Sequence, residues 1–202
     1  MPERWREAVR VHDYKIHEAA NWAIEHRSGI LWYMNREVGI WLAETLAALH
    51  LNPLHCPSGA PHDRAIVDPG NANRLIVASW KAHGEGKNLQ HHENNLVIQW
   101  PRGQKEAEQM IGRTHRVGQQ ADELVIHRLE DQGHRFDQEL FSACLNDACY
   151  TQGTLGTAHK LLYAVHDPLP KVFPNSYLRE RGFQPYTLTR QQEVLLGDKF
   201  NS

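Results

Sequence analysis

Four short runs rich in β-branched and aromatic residues, GILWYM (29–34), RLIVAS (74–79), NLVIQW (95–100) and ELVIHRL (123–129), recur along the chain with helix-patterned segments between them. Runs of this length that are apolar nearly throughout suit strands buried on both faces, as in a parallel sheet. The segment before the first run carries Ile16, Ala20, Ala23 and Ile24 at helical spacing, with Asp13 as its cap and Gly29 as its stop. After it, Arg36 to Leu49 places Val38, Leu42, Leu46 and Leu49 in one stripe, with Asn35 as N-cap. PLHCPSGAPH (53–62) holds a brief strand and then turn chemistry. Helices are also expected over Gln104–His115 and over Phe136–Cys149, the latter with Phe136, Leu140, Cys144 and Ala148 on one side. Strand–helix alternation of this kind predicts an α/β fold, a doubly wound parallel sheet covered on both faces, with function at the carboxyl ends of the strands.

A chain of 202 residues can bury one sizeable core, and its character changes at about Thr151. Four prolines fall from Pro168 to Pro185, and Tyr163, Phe173, Tyr177, Phe183 and Tyr186 interleave with Lys160, Lys171, Arg179, Arg181 and Arg190. We therefore expect a lobe over 1–150 and a Pro/aromatic/basic extension over 151–202, which ends in a helix started by Thr189 and Gln192 at capping-box spacing. No apolar run approaches the roughly 18 residues of a membrane span, and MPERWREAVR lacks a signal peptide's apolar stretch. The expected location is cytoplasmic, or associated with the nucleoid in a host cytoplasm, with no membrane partner. Three cysteines match no zinc spacing and read as buried thiols, and the 14 histidines scatter, so no metal site is expected. A net charge of −2 excludes a chain coated throughout for nucleic acid but leaves room for a basic groove.

The stretch EQMIGRTHRVGQQ (108–120) carries the chemistry. At 100° per residue Ala107, Met110, Ile111 and Thr114 gather on one side of a helix, and Lys105, Gln109, Arg113 and Arg116 on nearly the opposite side. Gly112 keeps that ridge thin, and Gly118 can end the helix in a left-handed cap. Such a ridge is either a solvated charged face or a set of donors for phosphate. Upstream, ASWKAHGEGKNLQ (78–90) leaves a β-run and passes two glycines, which let backbone approach a ligand and present N–H groups to an anion.

In this order the motifs resemble the second RecA-like lobe of superfamily 2 helicases and translocases, closest to the Swi/Snf-type ATPases. QMIGRTHRVGQ is similar to their motif VI, SWKAHGEGKNL to motif V, and GILWYMNREVGIWLAETL to the strand and helix of motif IV, over about Gly29 to Leu145. The resemblance implies a RecA-like sheet and an ATP site in a cleft between two lobes. It implies that Arg113 and Arg116 are arginine fingers, with Gln109 positioning them or the nucleotide. It places Gly86 and Asn88 near the nucleotide, and Ser79, Gly84 and Lys87 toward nucleic-acid phosphates. Lys87 stands where an apolar residue is usual, so its role stays open between a phosphate contact and a solvated side chain. The interval between HCPSG and RLIVAS is short, as in a trimmed lobe.

A Walker A loop and a Walker B acid are needed to hold the phosphates and Mg²⁺, and neither motif occurs. KAHGEGKN (81–88) has Lys81 in place of the first glycine and Asn88 in place of the hydroxyl. The expectation is a split DNA-dependent ATPase whose Walker-bearing N-terminal lobe lies on another chain and holds most of the Mg²⁺, with double-stranded DNA as substrate and no activity of this chain alone. A detached small lobe would suit a compact phage genome. The alternatives are a non-hydrolysing nucleic-acid clamp or regulatory module, and an unrelated α/β protein whose arginine helix is structural.

Overall fold

The computed structural model describes residues 13–121, 124–130 and 136–169. The final helix expected at Thr189 lies outside the described residues, as does most of the extension.

The elements run α1 (Tyr14–His26), β1 (Gly29–Tyr33), α2 (Arg36–Ala48), β2 (Leu54–Cys56), α3 (Ala60–Val67), a 3-10 turn (Pro69–Asn71), β3 (Leu75–Ser79), α4 (Trp80–His83), β4 (Asn95–Val97), α5 (Gln104–Thr114), β5 (Val125–Leu129), α6 (Phe136–Leu155), α7 (Lys160–Tyr163) and β6 (Val165–Leu169). The strands form one sheet in the order β2-β3-β1-β4-β5-β6, and every pairing is parallel. Because β1 leads outward to β2 and every later connection runs back the other way, the first crossover lies on one face and the remaining four on the other, as right-handed connections require.

Two cores follow from this winding. On one face α1 and α2 bury Ile16, Trp22, Leu42 and Leu46 against Leu31, Val77, Leu96 and Leu129. On the other, α3 to α7 bury Ile66, Leu89, Met110, Phe141 and Leu161 against Ile30, Trp32, Ile76 and Ile126. β1 is buried along its whole length, as expected for a central strand between two helix layers. Gly39 lets α2 sit directly on the Tyr33 ring, since a Cβ there would lie 2.3 Å from a ring carbon.

Several sequence expectations need correction. Helix α1 ends not at Gly29 but at Arg27, which takes a left-handed conformation (φ 62°) and sends its N–H to the Ala23 carbonyl. Asn35 precedes α2 without a side-chain cap bond; instead Gln99 Oε1 accepts from the Met34 and Asn35 N–H groups, each at 3.0 Å. The stretch read as turn chemistry after β2 runs into an eight-residue helix, α3, at Ala60. In α6 the inward stripe is Asp137, Phe141, Cys144 and Ala148, whereas Phe136 is exposed. Of the residues assigned to the extension, α6 continues through Leu155 and Val165–Leu169 form the sheet's sixth strand, in register with β5.

Candidate nucleotide and nucleic-acid interface

Helix α5 has three working faces. Ala107, Met110, Ile111 and Thr114 are buried in the core, as the spacing predicts. Glu108 and Gly112 face α7: the Glu108 carboxylate accepts from the Lys160 and Leu161 backbone N–H groups at 2.8 Å each, and Lys160 Nζ donates to the His115 carbonyl at 2.7 Å. Gln109 and Arg113 are half-buried on the third face, with Lys105 exposed at its start. That third face meets the loop that follows α4.

Arg113 joins helix to loop. Its Nε donates to the Gly84 carbonyl at 2.9 Å and its Nη1 to the Lys87 carbonyl at 3.3 Å, while its own carbonyl accepts from the Leu89 N–H at 3.0 Å. Burial and the nearby Arg116 charge lower its pKa, and Glu85 opposes them; a guanidinium keeps its charge under such shifts. The helix ends at Thr114, so Arg116 does not continue the stripe: it lies exposed in the following turn, where its carbonyl accepts from the Gln119 N–H. Gly118 adopts φ 96° within this turn rather than capping the helix. Gln119 Nε2 then bridges the Thr114 and His92 carbonyls at 3.2 Å each, tying the turn to the glycine loop's far end. Among the described residues neither guanidinium is ion-paired.

The two loop glycines are required for different reasons. At Gly84 a Cβ would lie 2.3 Å from the Trp80 carbonyl, and at Gly86 the backbone takes φ 69° over open space. Gly86 and Asn88 are exposed, and Ser79 is half-buried at the end of β3 without a side-chain cap bond. A cleft of about 260 Å³ opens between loop and helix, lined by Trp80, Lys81, Gly84, Glu85, Glu106 and Gln109. The structure thus brings Gln109 and Gly84 to one cleft and ties Arg113 to the Gly84 and Lys87 carbonyls beside it, whereas the Lys87 side chain turns to α3, Arg116 stands on the turn after α5 and Ser79 at the strand end.

Lys87 is not simply solvated. Its ammonium pairs with the Asp63 carboxylate of α3, bonds His83 Nδ1, and lies 3.4 Å from the Ala82 carbonyl. His83 is fully buried, and its Nε2 lies 3.0 Å from the Cys56 carbonyl and 2.9 Å from that of Pro57. Two carbonyls can only accept, so the proton sits on Nε2 and Nδ1 is free to accept from Lys87. Asp63 and His83 escaped the sequence reading; the one available signal was Pro61 in the first turn of a helix after Gly59.

The loop also carries a pH liability. Burial, and then the neighbouring His91, depress His92 from 6.5 to about 4, with the Ile66 carbonyl opposing. His83 is also lowered, burial being the largest cause. An unfolded chain protonates these rings before the folded one does, so stability is full above about 6.5 and is lost as pH falls toward 4. For His92 the loss is on the order of 3 kcal/mol. His92→Leu is expected to flatten that limb of a stability-versus-pH curve measured by urea unfolding; an unchanged slope would refute the assignment.

Among the described residues no group of three or more His, Cys, Asp or Glu side chains is arranged to hold a metal ion. No described helix is long and apolar enough to cross a membrane.

No protein-family model matches the chain, and no curated protein matches it. Solved structures do. The chain is similar to the C-terminal part of the Fun30 ATPase domain (TM-score 0.54, 18% identity, covering 64% of this chain and 44% of that one). It is similar to Dbp5 of S. cerevisiae, solved bound to RNA and ADP BeF3 (0.56, 13%, 83% and 41%). The E. coli DEAD-box protein SrmB, solved bound to the regulator of ribonuclease activity A, also matches (0.51, 17%, 82% and 98%). The chain therefore spans less than half the length of the first two. At these identities the likeness shows the fold, that of a helicase C-terminal RecA-like lobe.

Proposed function

From the premise of a helicase-type RecA-like lobe, we propose that this chain is the second lobe of a DNA-dependent ATPase, supplying arginine fingers and nucleic-acid contacts to a partner lobe that carries Walker A and B. The observation that carries this reading is Arg113 bonded to the Gly84–Asn88 loop with Arg116 exposed on the turn just after it, two guanidinium groups without a carboxylate partner among the described residues. The donor set fits a polyphosphate: guanidinium forks match phosphate oxygens in pairs and keep their charge. In this reading Arg113 and Arg116 hold the γ-phosphate end of ATP, Gln109 positions them, and Gly86 and Asn88 lie at the nucleotide's edge. ATP, when bound, supplies the phosphoryl group to be transferred; Mg²⁺ is held mainly by the partner lobe. Ser79, the Gly84 backbone and Lys87 face double-stranded DNA. The protein acts away from membranes, in the cytoplasm. A phage origin and attachment of the partner lobe on another chain belong to the same reading.

A second reading has one observation in its favour. Arg113 already donates to two carbonyls of its own chain, as a non-hydrolysing clamp or regulatory module would have it. One experiment separates the two: ATP turnover of this chain alone, with double-stranded DNA, and with the Walker-bearing polypeptide that co-purifies from the native host. The first reading expects no turnover alone and DNA-stimulated turnover with the partner. Turnover by the chain alone, or a partner whose turnover is indifferent to this chain, would reject it.

A further inference from the structure

We infer that Asp63 on α3 controls nucleic-acid affinity by holding Lys87 away from phosphate, so that the lysine reaches DNA only by exchanging one anion for another. This rests on the nucleic-acid-binding reading above and assigns a role to a helix outside every motif found in the sequence.

Lys87 is restrained at both ends. Its carbonyl accepts from Arg113 Nη1, and its ammonium is divided among the Asp63 carboxylate, His83 Nδ1 and the Ala82 carbonyl. The lysine side chain is 14% exposed while that of Asp63 is 46% exposed. The retaining anion is therefore the solvent-accessible member of the pair, and a lysine near it pulls its pKa down, so it stays ionised. The half-exposed Asp63 side of the pair is open to solvent and screened, so its carboxylate can be replaced on the ammonium by a phosphodiester at modest cost. His83 cannot be given up in the same way, because its ring is buried and anchored on the Cys56 and Pro57 carbonyls. Its Nδ1 keeps hold of the Lys87 ammonium while the Asp63 carboxylate is exchanged, so the lysine turns about that bond. The anion Lys87 meets next is a backbone phosphate of DNA, since a carboxylate and a phosphodiester present the same acceptor oxygens to an ammonium.

The exchange has a salt signature. In the wild type, each Lys87–phosphate contact that forms leaves Asp63 bare, so counterions released from DNA are partly recaptured. Without Asp63 that recapture is gone, and the slope of log K against log salt steepens by up to about one phosphate's worth, roughly 0.9.

The test uses the full chain and a labelled double-stranded DNA of mixed sequence, titrated at a series of KCl concentrations. Asp63→Asn is expected to bind about fivefold more tightly at low salt, with the steeper slope. Asp63→Glu keeps a carboxylate and should stay near wild type. Asp63→Asn/Lys87→Gln should lose the gain, which separates the latch from a general change of surface charge. Thermal melting of each variant confirms that it is folded. Wild-type binding unaltered by Asp63→Asn, or a gain that persists in the double variant, overturns the latch and leaves the DNA-binding reading intact. Absence of DNA binding by every form, each folded, overturns both.

Discussion

Arg113→Ala is expected to lower DNA-stimulated ATP turnover of the reconstituted two-lobe enzyme by about 10³-fold or more, the scale at which a cationic finger acts on phosphoryl transfer. Arg116→Ala is expected to lose as much by a simpler route. Arg116 is exposed on the turn after α5, so its removal subtracts a phosphate donor and little packing. Arg113 also bonds the Gly84 and Lys87 carbonyls, and its removal leaves a buried residue's carbonyl without that donor, a cost of about 1–3 kcal/mol in stability. The two variants should therefore diverge in melting temperature while agreeing in turnover. Arg113→Lys sharpens the point, because a single ammonium cannot span the two carbonyls or grip phosphate with a planar fork; it should recover less than a tenth of the activity. Steady-state ATPase assays with saturating partner and DNA would decide. Turnover within about tenfold of wild type in both alanine variants would remove the arginines from the chemistry.

Much of this arrangement was legible in the chain, for reasons that can be read residue by residue. The strands at the middle of the sheet announced themselves because both faces are buried: Ile30 to Tyr33 are all 1% exposed or less, and a strand flanked by two helix layers needs an unbroken apolar run. The inward side of α5 followed from helical spacing alone. The sheet's edge was harder. β6 is Val165–Leu169, with a proline at 168, and an edge strand tolerates proline because one row of N–H groups has no ladder to serve. The same residue is the first of the four prolines that mark the extension expected from about Thr151. Helix α3 failed for a related reason: it is eight residues long and, among its described side chains, only Ile66 is fully buried beside Pro, Gly and charged neighbours, too little for a periodic signal. In α6 the reading stepped by four from Phe136, and each such step drifts about 40° around the helix. The core instead takes Asp137, Phe141, Cys144 and Ala148, mixing steps of four and three.

The candidate site divides in the same way. Gly84, Gly86 and Arg113 carry local signatures, a tight turn and a charged ridge, which survive translation into structure. Asp63 and His83 do not, because their importance lies in Lys87, 24 and four residues further along the chain. A carboxylate on one helix and an imidazole on another acquire meaning only when the sheet brings β2 and β3 side by side. Gln99 belongs with them: nothing in NLVIQW suggests that its amide oxygen would accept from the Met34 and Asn35 N–H groups at the entry to α2.

The second large effect concerns how α5 is held rather than what it carries. Trp100 follows β4, comes just before the Pro101–Gly103 turn into α5, and is 6% exposed. Its ring meets Phe141 of α6 edge-on at 4.9 Å and His166 of β6 at 5.9 Å. The Cys144 thiol beneath donates to the Pro101 carbonyl at 3.6 Å. Two elements distant in sequence, α6 and β6, therefore converge on one indole. Trp100→Ala should cost about 3–5 kcal/mol, from lost burial plus the cavity left behind, against a total stability on the order of 5–15 kcal/mol. In a domain of this size that corresponds to a fall of about 10 °C in melting temperature. Trp100→Phe keeps an aromatic edge against Phe141 and should lose less than half as much. Because the tryptophan anchors the entry to α5, the alanine variant should also release the helix whose far end grips Gly84 and Lys87. Amide exchange in the Gly84–Leu89 loop should then quicken at temperatures where the protein is still folded. A melting temperature within about 2 °C of wild type would mean that α5 is held chiefly from its other end, by Glu108 on α7 and Arg113 on the glycine loop.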